Sequence, residues 1–144
     1  MGERDDQDWR GRRERAVRAH ADADARARAR EQATAAELVA RFAAEAAGRG
    51  LRTVRLTVTS YDGRYRYRTG LAGWYIDRAR TRAVDTRGHF YLLTVPASLR
   101  SLLFGAAPEP SPPPLVIGRG GRDGESMPLE ALLGARLTAG DDWR

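Results

Sequence analysis

Val54-Arg-Leu-Thr-Val-Thr-Ser-Tyr-Asp-Gly-Arg-Tyr-Arg-Tyr-Arg68 is the stretch that decides the fold. Val54, Leu56 and Val58 alternate with Arg55, Thr57 and Thr59, the period of a strand with one face in a core. Asp62-Gly63 is a strong hairpin signal, because both residues tolerate the positive φ that a tight turn between strands demands. Arg64-Tyr-Arg-Tyr-Arg68 then alternates again. A loop at Asp62-Gly63 sets Val58 opposite Tyr67, Ser60 opposite Tyr65, Thr59 opposite Arg66 and Thr57 opposite Arg68. One face then carries Val54, Leu56, Val58, Tyr65 and Tyr67; the other carries Arg55, Arg64, Arg66 and Arg68 among threonines. A one-residue slip would reverse every side chain, so the agreement of two alternations fixes the register. The expectation is that the arginine face meets water and the tyrosine face lies beneath a helix.

Further along, Gly70-Leu-Ala-Gly73 predicts a bend or bulge. Trp74-Tyr-Ile76 reads as a third strand, and Arg78-Ala-Arg-Thr81 as a charged turn that sets Asp77 opposite Arg82 and Trp74 opposite Asp85. Ala83-Val-Asp85 and Phe90–Val95 make a second hairpin around Arg87-Gly88. The last of these strands is apolar on both faces and should be central or covered.

Upstream, residues 8–49 are rich in Ala, Arg, Glu and Gln, which favour helix. Glu14/Arg18, Asp22/Arg26, Asp24/Arg28 and Glu37/Arg41 have acid four residues before base, the favourable order. Large apolar residues are scarce until Leu38, Val39, Phe42 and Ala46 form one stripe, ended by Gly48 and Gly50. The reading is an exposed helical arm or partly disordered tail over 1–33 and one α+β domain over 34–138, with a frayed tail at 139–144. Downstream, Pro96 opens a short helix with apolar Leu99, Leu102 and Leu103, closed by Gly105. Pro108–Pro114 is a stiff extended spacer, and Leu115-Val-Ile117 a short strand. Ser126 caps a final helix through residue 137, with Leu129, Leu132 and Leu133 inward. The fold class is therefore α+β: a four- to five-stranded antiparallel meander sheet packed by helices, with a long N-terminal helix.

Composition limits the function classes. The 144 residues contain no Cys, which excludes disulfides, thiolate metal sites and a cysteine nucleophile. All 25 basic residues are Arg, so arginine number alone is weak support for phosphate recognition. Position says more: residues 1–50 carry net +1, residues 51–100 net +7 and residues 101–144 net −2. No apolar run approaches membrane-span length, and the polar N-terminus does not read as a secretory signal; a cytoplasmic protein is expected.

Chemical motifs are sparse. The chain has two histidines, His20 and His89, the residue type suited to proton transfer near neutrality, and they lack metal-ligand spacing. Asp77 and Asp85 fit ion pairing better than an acid/base dyad, and Ser126 has no triad partners. No catalytic residue, metal or cofactor is expected. Gly118-Arg-Gly-Gly-Arg-Asp-Gly124, with Gly118, Gly120, Gly121, Arg122 and Gly124 as donors, is a candidate anion-binding loop. It lacks the lysine of a nucleotide P-loop, and Asp123 and Glu125 oppose phosphate. The leading reading is a non-catalytic interaction module that binds a macromolecule through Arg55, Arg64, Arg66 and Arg68, with Arg78, Arg80 and Arg82 as a second basic cluster. An acidic protein surface is favoured as partner. Sheet-type nucleic-acid readers stack bases on aromatics of the binding face, and here the tyrosines fall opposite the arginines. Non-specific nucleic-acid binding through the same arginines is the alternative, and an enzyme or anionic-ligand binder using residues 118–126 the second.

Overall fold

The computed structural model describes residues 2–118 and 126–143. Its first element is one unbroken helix, α1 (Gly2–Gly48), of 47 residues, which at 1.5 Å per residue is about 70 Å long. Almost all of it before Ala35 is exposed. From there Ala35, Val39, Phe42, Ala43 and Ala46 are buried, at spacings of a single helical stripe. Of the anticipated exposed pairs Glu37–Arg41 forms, at 3.1 Å, and Glu45–Arg49 joins it at 2.6 Å.

The main sheet comprises β1 (Val54–Ser60), β2 (Arg66–Tyr75), β3 (Arg82–Asp85), β4 (Phe90–Leu92) and β5 (Thr94–Val95), in the order β4-β3-β2-β1-β5. The first hairpin has the register read from its two alternations: Val58 opposes Tyr67, Thr59 opposes Arg66 and Thr57 opposes Arg68. Its turn is wider than two residues. Ser60 N–H donates to Tyr65 O at 2.9 Å, and Tyr61–Arg64 form the loop, with Gly63 at φ +74°. The Ser60 hydroxyl donates to the Asp62 carboxylate at 2.6 Å and accepts from Tyr65 N–H. The Ser60 hydroxyl, and then Arg64 N–H, by donating to the Asp62 carboxylate hold it below its ordinary value.

Three sheet expectations need correction. The glycine segment holds the expected bulge, with two extra β2 residues between the Arg55–Ala72 and Thr57–Arg68 pairs, but it does not separate two strands: β2 runs through it as one ten-residue strand, paired with β1 from Arg66 to Gly73 and with β3 from Gly73 to Tyr75. Trp74 opposes Val84 rather than Asp85, one residue from the direct-turn reading, because the turn after Tyr75 is closed by Ile76 N–H on Arg82 O. The sheet is also mixed rather than an antiparallel meander, since β5 runs parallel to β1.

That last pairing changes the architecture. β4 and β5 are one run of chain, interrupted only at Leu93, yet they lie at opposite ends of the strand order. Leu93 N–H donates to Thr81 O at 2.8 Å, and Leu93 O accepts from Thr59 N–H at 2.9 Å. The sheet therefore curls until its two edges share this run, which leaves fewer exposed strand edges. Inside the curl are Leu56, Val58, Tyr67, Ala83, Tyr91 and Leu93, all buried. The tyrosine side of the hairpin thus packs on the opposite strands, not under a helix. Leu56, Val58 and Tyr67 are sealed, whereas Tyr65 stays 43% and Val54 41% exposed.

The helices cover a different surface. Trp74, Ile76, Val84 and Phe90 pack against the α1 stripe and against Leu129 and Leu133. Phe42 meets Trp74 edge-on at 5.9 Å, and the Trp74 indole N–H donates to Leu51 O at 3.1 Å. The remaining elements are α2 (Leu99–Phe104), β6 (Val116–Gly118) paired with β7 (Ser126–Pro128), and α3 (Leu129–Ala139). Ser126 lies in β7 and caps nothing; α3 begins after Pro128, with Leu129 N–H bonded to Leu115 O. The proline segment runs alongside β4, where Ser111 N–H donates to Phe90 O at 2.8 Å. Residues 140–142, expected to fray, form a 3-10 turn whose Asp141 carboxylate accepts from Arg52 N–H at 2.8 Å.

Candidate interaction face

The outer side of the first hairpin holds Arg55, Arg66 and Arg68, all exposed, with Arg64 exposed at its tip. Alternation positions them: their neighbours Leu56 and Tyr67 point into the curl, so the arginines must point out. Among the described residues none of these four forms an ion pair. The second cluster is less uniform. Arg78 is exposed, and Arg80, at φ +58° in the turn, lies over the Tyr75 ring at 5.5 Å. Arg82 is engaged: its guanidinium pairs with Asp77 at 3.1 Å and reaches Gly118 O at 3.5 Å. Asp77 also accepts from the Thr81 hydroxyl and from the Thr81 and Arg82 N–H groups, as the fastener of the turn.

The candidate anion loop falls largely outside the described residues. Gly118 ends β6, while Gly120, Gly121, Arg122 and Gly124 lie beyond what is described. Among the described residues no three His, Asp or Glu side chains gather as metal ligands, and no helix is long and apolar enough to cross a membrane.

Beside the arginine face is a feature the sequence reading missed. A cavity of about 750 Å³ is lined by Arg55 and Arg68 together with Phe104 and Ala106. The end of α2 is fixed there by Ala106 N–H on Arg68 O at 2.7 Å, and Gly105, at φ +80°, leaves room for that approach. The short helix starts at Leu99, capped by the Ser98 hydroxyl, and buries none of its residues. Leu99, Leu102, Leu103 and Phe104 are 80%, 50%, 69% and 79% exposed. Four large apolar side chains within one six-residue helix are the kind of contiguous patch that marks an interaction site. Basic side chains and an exposed apolar helix therefore lie beside one another along β2.

His89 has a structural role in the β3–β4 turn. The buried Asp85 carboxylate accepts from the N–H groups of Arg87 and His89 at 3.0 and 2.9 Å and from the Tyr91 hydroxyl at 3.0 Å, with His89 Nδ1 at 3.4 Å. Burial alone would raise the Asp85 pKa, but the hydrogen bonds outweigh it and hold the carboxyl below its ordinary value. Burial, and then the bond to Asp85, hold the Tyr91 phenol above its own. A depressed carboxyl pKa contributes stability that is present above the unfolded value of about 4 and is lost as pH falls through the folded value. Asp85→Asn is expected to flatten this acid limb of a melting-temperature profile. At neutral pH it should cost on the order of 2 kcal/mol in urea unfolding, through the weakened turn bonds.

Arg136 is the other residue missed. It occupies the buried stripe of α3 after Leu129 and Leu133, where apolar spacing would put a leucine. Its guanidinium donates to Tyr75 O and Gly140 O, both at 2.8 Å, and stacks on Trp143 at 4.6 Å. The signal for it was an arginine seven residues along an apolar stripe.

No known family model, curated protein or solved structure matches this chain. Fold and face define a class: a small α+β protein with a curled mixed sheet, an outward arginine face and an unpartnered apolar helix beside it.

Proposed function

We propose that the protein is a non-catalytic interaction module whose partner is an acidic, amphipathic protein segment seated along β2. The observation that carries this is the adjacency of Arg55 and Arg68 to Phe104 across one cavity. Carboxylates of the partner would pair with the arginines, and its apolar side chains would cover Leu102, Leu103 and Phe104. Arginine suits such a role because its planar fork binds carboxylate in two hydrogen bonds. Base stacking is disfavoured on this face: Tyr67 is 2% exposed, and Tyr65 stacks on it at 6.4 Å.

The test is fluorescence anisotropy with a labelled peptide of alternating Glu and Leu/Phe, beside single-stranded DNA and RNA of equal charge, each at two salt concentrations. The peptide is expected to bind saturably and more tightly than either nucleic acid. Arg66→Ser with Arg68→Ser should weaken it at least tenfold while moving the melting temperature by no more than a few degrees, since both residues are exposed. Tighter binding of DNA or RNA would replace this reading by the nucleic-acid one, and unchanged peptide affinity in the double variant would reject the face.

A further inference from the structure

A second, smaller cavity of about 300 Å³ is lined by five arginines, Arg52, Arg55, Arg66, Arg80 and Arg136, against one acid, Asp141. They come from four places in the chain: the approach to β1, the hairpin, the β2–β3 turn and α3. Among the described residues none of the five forms an ion pair; the Asp141 carboxylate accepts from the Arg52 backbone N–H and offsets part of their charge, acting on Arg136. Concentrating like charge in a concave site raises the local potential by several kT, which repels the cations from one another and attracts an anion. Two of the cations are already positioned. Arg136 is 7% exposed and held by two carbonyls and the Trp143 ring, and Arg80 lies over Tyr75. Tyr75 is held in turn by its hydroxyl, which accepts from Thr57 N–H at 3.0 Å. A site whose cationic groups are fixed before the ligand arrives loses less side-chain entropy on binding.

We propose that this cavity binds a small, multiply charged phosphate anion of the pyrophosphate or phosphate-ester type. Guanidinium forks match the tetrahedral oxygens of such a group, and several cations are needed to balance its charge. The volume suits a small anion. Arg55 and Arg66 are shared with the docking face, but this site requires no macromolecular partner.

The experiment is thermal unfolding and calorimetric titration of the full chain with sodium pyrophosphate, with sodium phosphate, and with sodium chloride at matched ionic strength. Pyrophosphate is expected to raise the melting temperature saturably, above the chloride response, as a ligand of the native state does. Inorganic phosphate binding as tightly would show that one phosphate group suffices. Arg52→Ser and Arg80→Ser, both at exposed positions, should each weaken binding at least tenfold, while Arg78→Ser and Arg68→Ser, outside the cavity, leave it unchanged. A response that only tracks ionic strength, or wild-type affinity in Arg52→Ser and Arg80→Ser, would overturn the site. Arg68→Ser separates the two readings: it should lose the acidic peptide and keep pyrophosphate.

Discussion

Gly73→Ala is expected to unfold the protein or to cost more than about 4 kcal/mol, at the extreme of what single substitutions do. A Cβ at this position would lie 2.1 Å from Val84 O and 2.7 Å from Asp85 Cα. Both obstacles are backbone of the adjoining strand, so no side-chain rotation relieves them. Gly73 is also the residue where β2 is paired on both sides, with Val54 and with Asp85. Displacing β3 there would separate the curled sheet from the surface that the helices cover. The contrast is Gly134→Ala in α3, where an added Cβ meets nothing within 4 Å. Replacing a helical glycine by alanine should stabilise by roughly 0.5–1 kcal/mol. Urea unfolding followed by circular dichroism measures both, and a mild effect at Gly73 would mean that β3 does not approach so closely.

Trp74→Ala should lose about 3–5 kcal/mol, the range for deleting a fully buried large aromatic. The indole is 1% exposed, meets Phe42 edge-on and satisfies Leu51 O. Its removal would leave a cavity between α1 and the sheet and an unmet carbonyl where the chain leaves α1. Trp9→Ala, in the exposed first part of α1 where the ring is 56% exposed, should leave the melting temperature nearly unchanged. Equal losses in the two variants would show that the long helix is stabilised along its whole length, contrary to the burial pattern.

The two glycine and tryptophan contrasts bear on what can be read from a sequence. The register of the first hairpin was legible because two independent alternations had to agree, and period-2 patterning tolerates no slip. The arginine face followed from the same parity. The stripe Val39–Phe42–Ala46 was legible for the equivalent helical reason. Phe104 and Arg136 were passed over for one shared reason. A short apolar helix reads as core, and an arginine within an apolar stripe reads as an exception, until the surroundings of each are known.

By itself, then, the sequence determined which residues alternate, which side of the hairpin is cationic, and where the long helix turns from polar to apolar. These are local matters, set by steric periodicity and by the solvation of each side chain. Only the tertiary structure decided that Phe90–Val95 joins both edges of the sheet, leaving Tyr67 within the curl and Trp74 beneath the helices. It also decided that arginines from four parts of the chain share one cavity. Both outcomes depend on contacts between residues far apart in sequence, where the closure of long loops and the packing of whole surfaces set the free energy, and no local pattern carries that information.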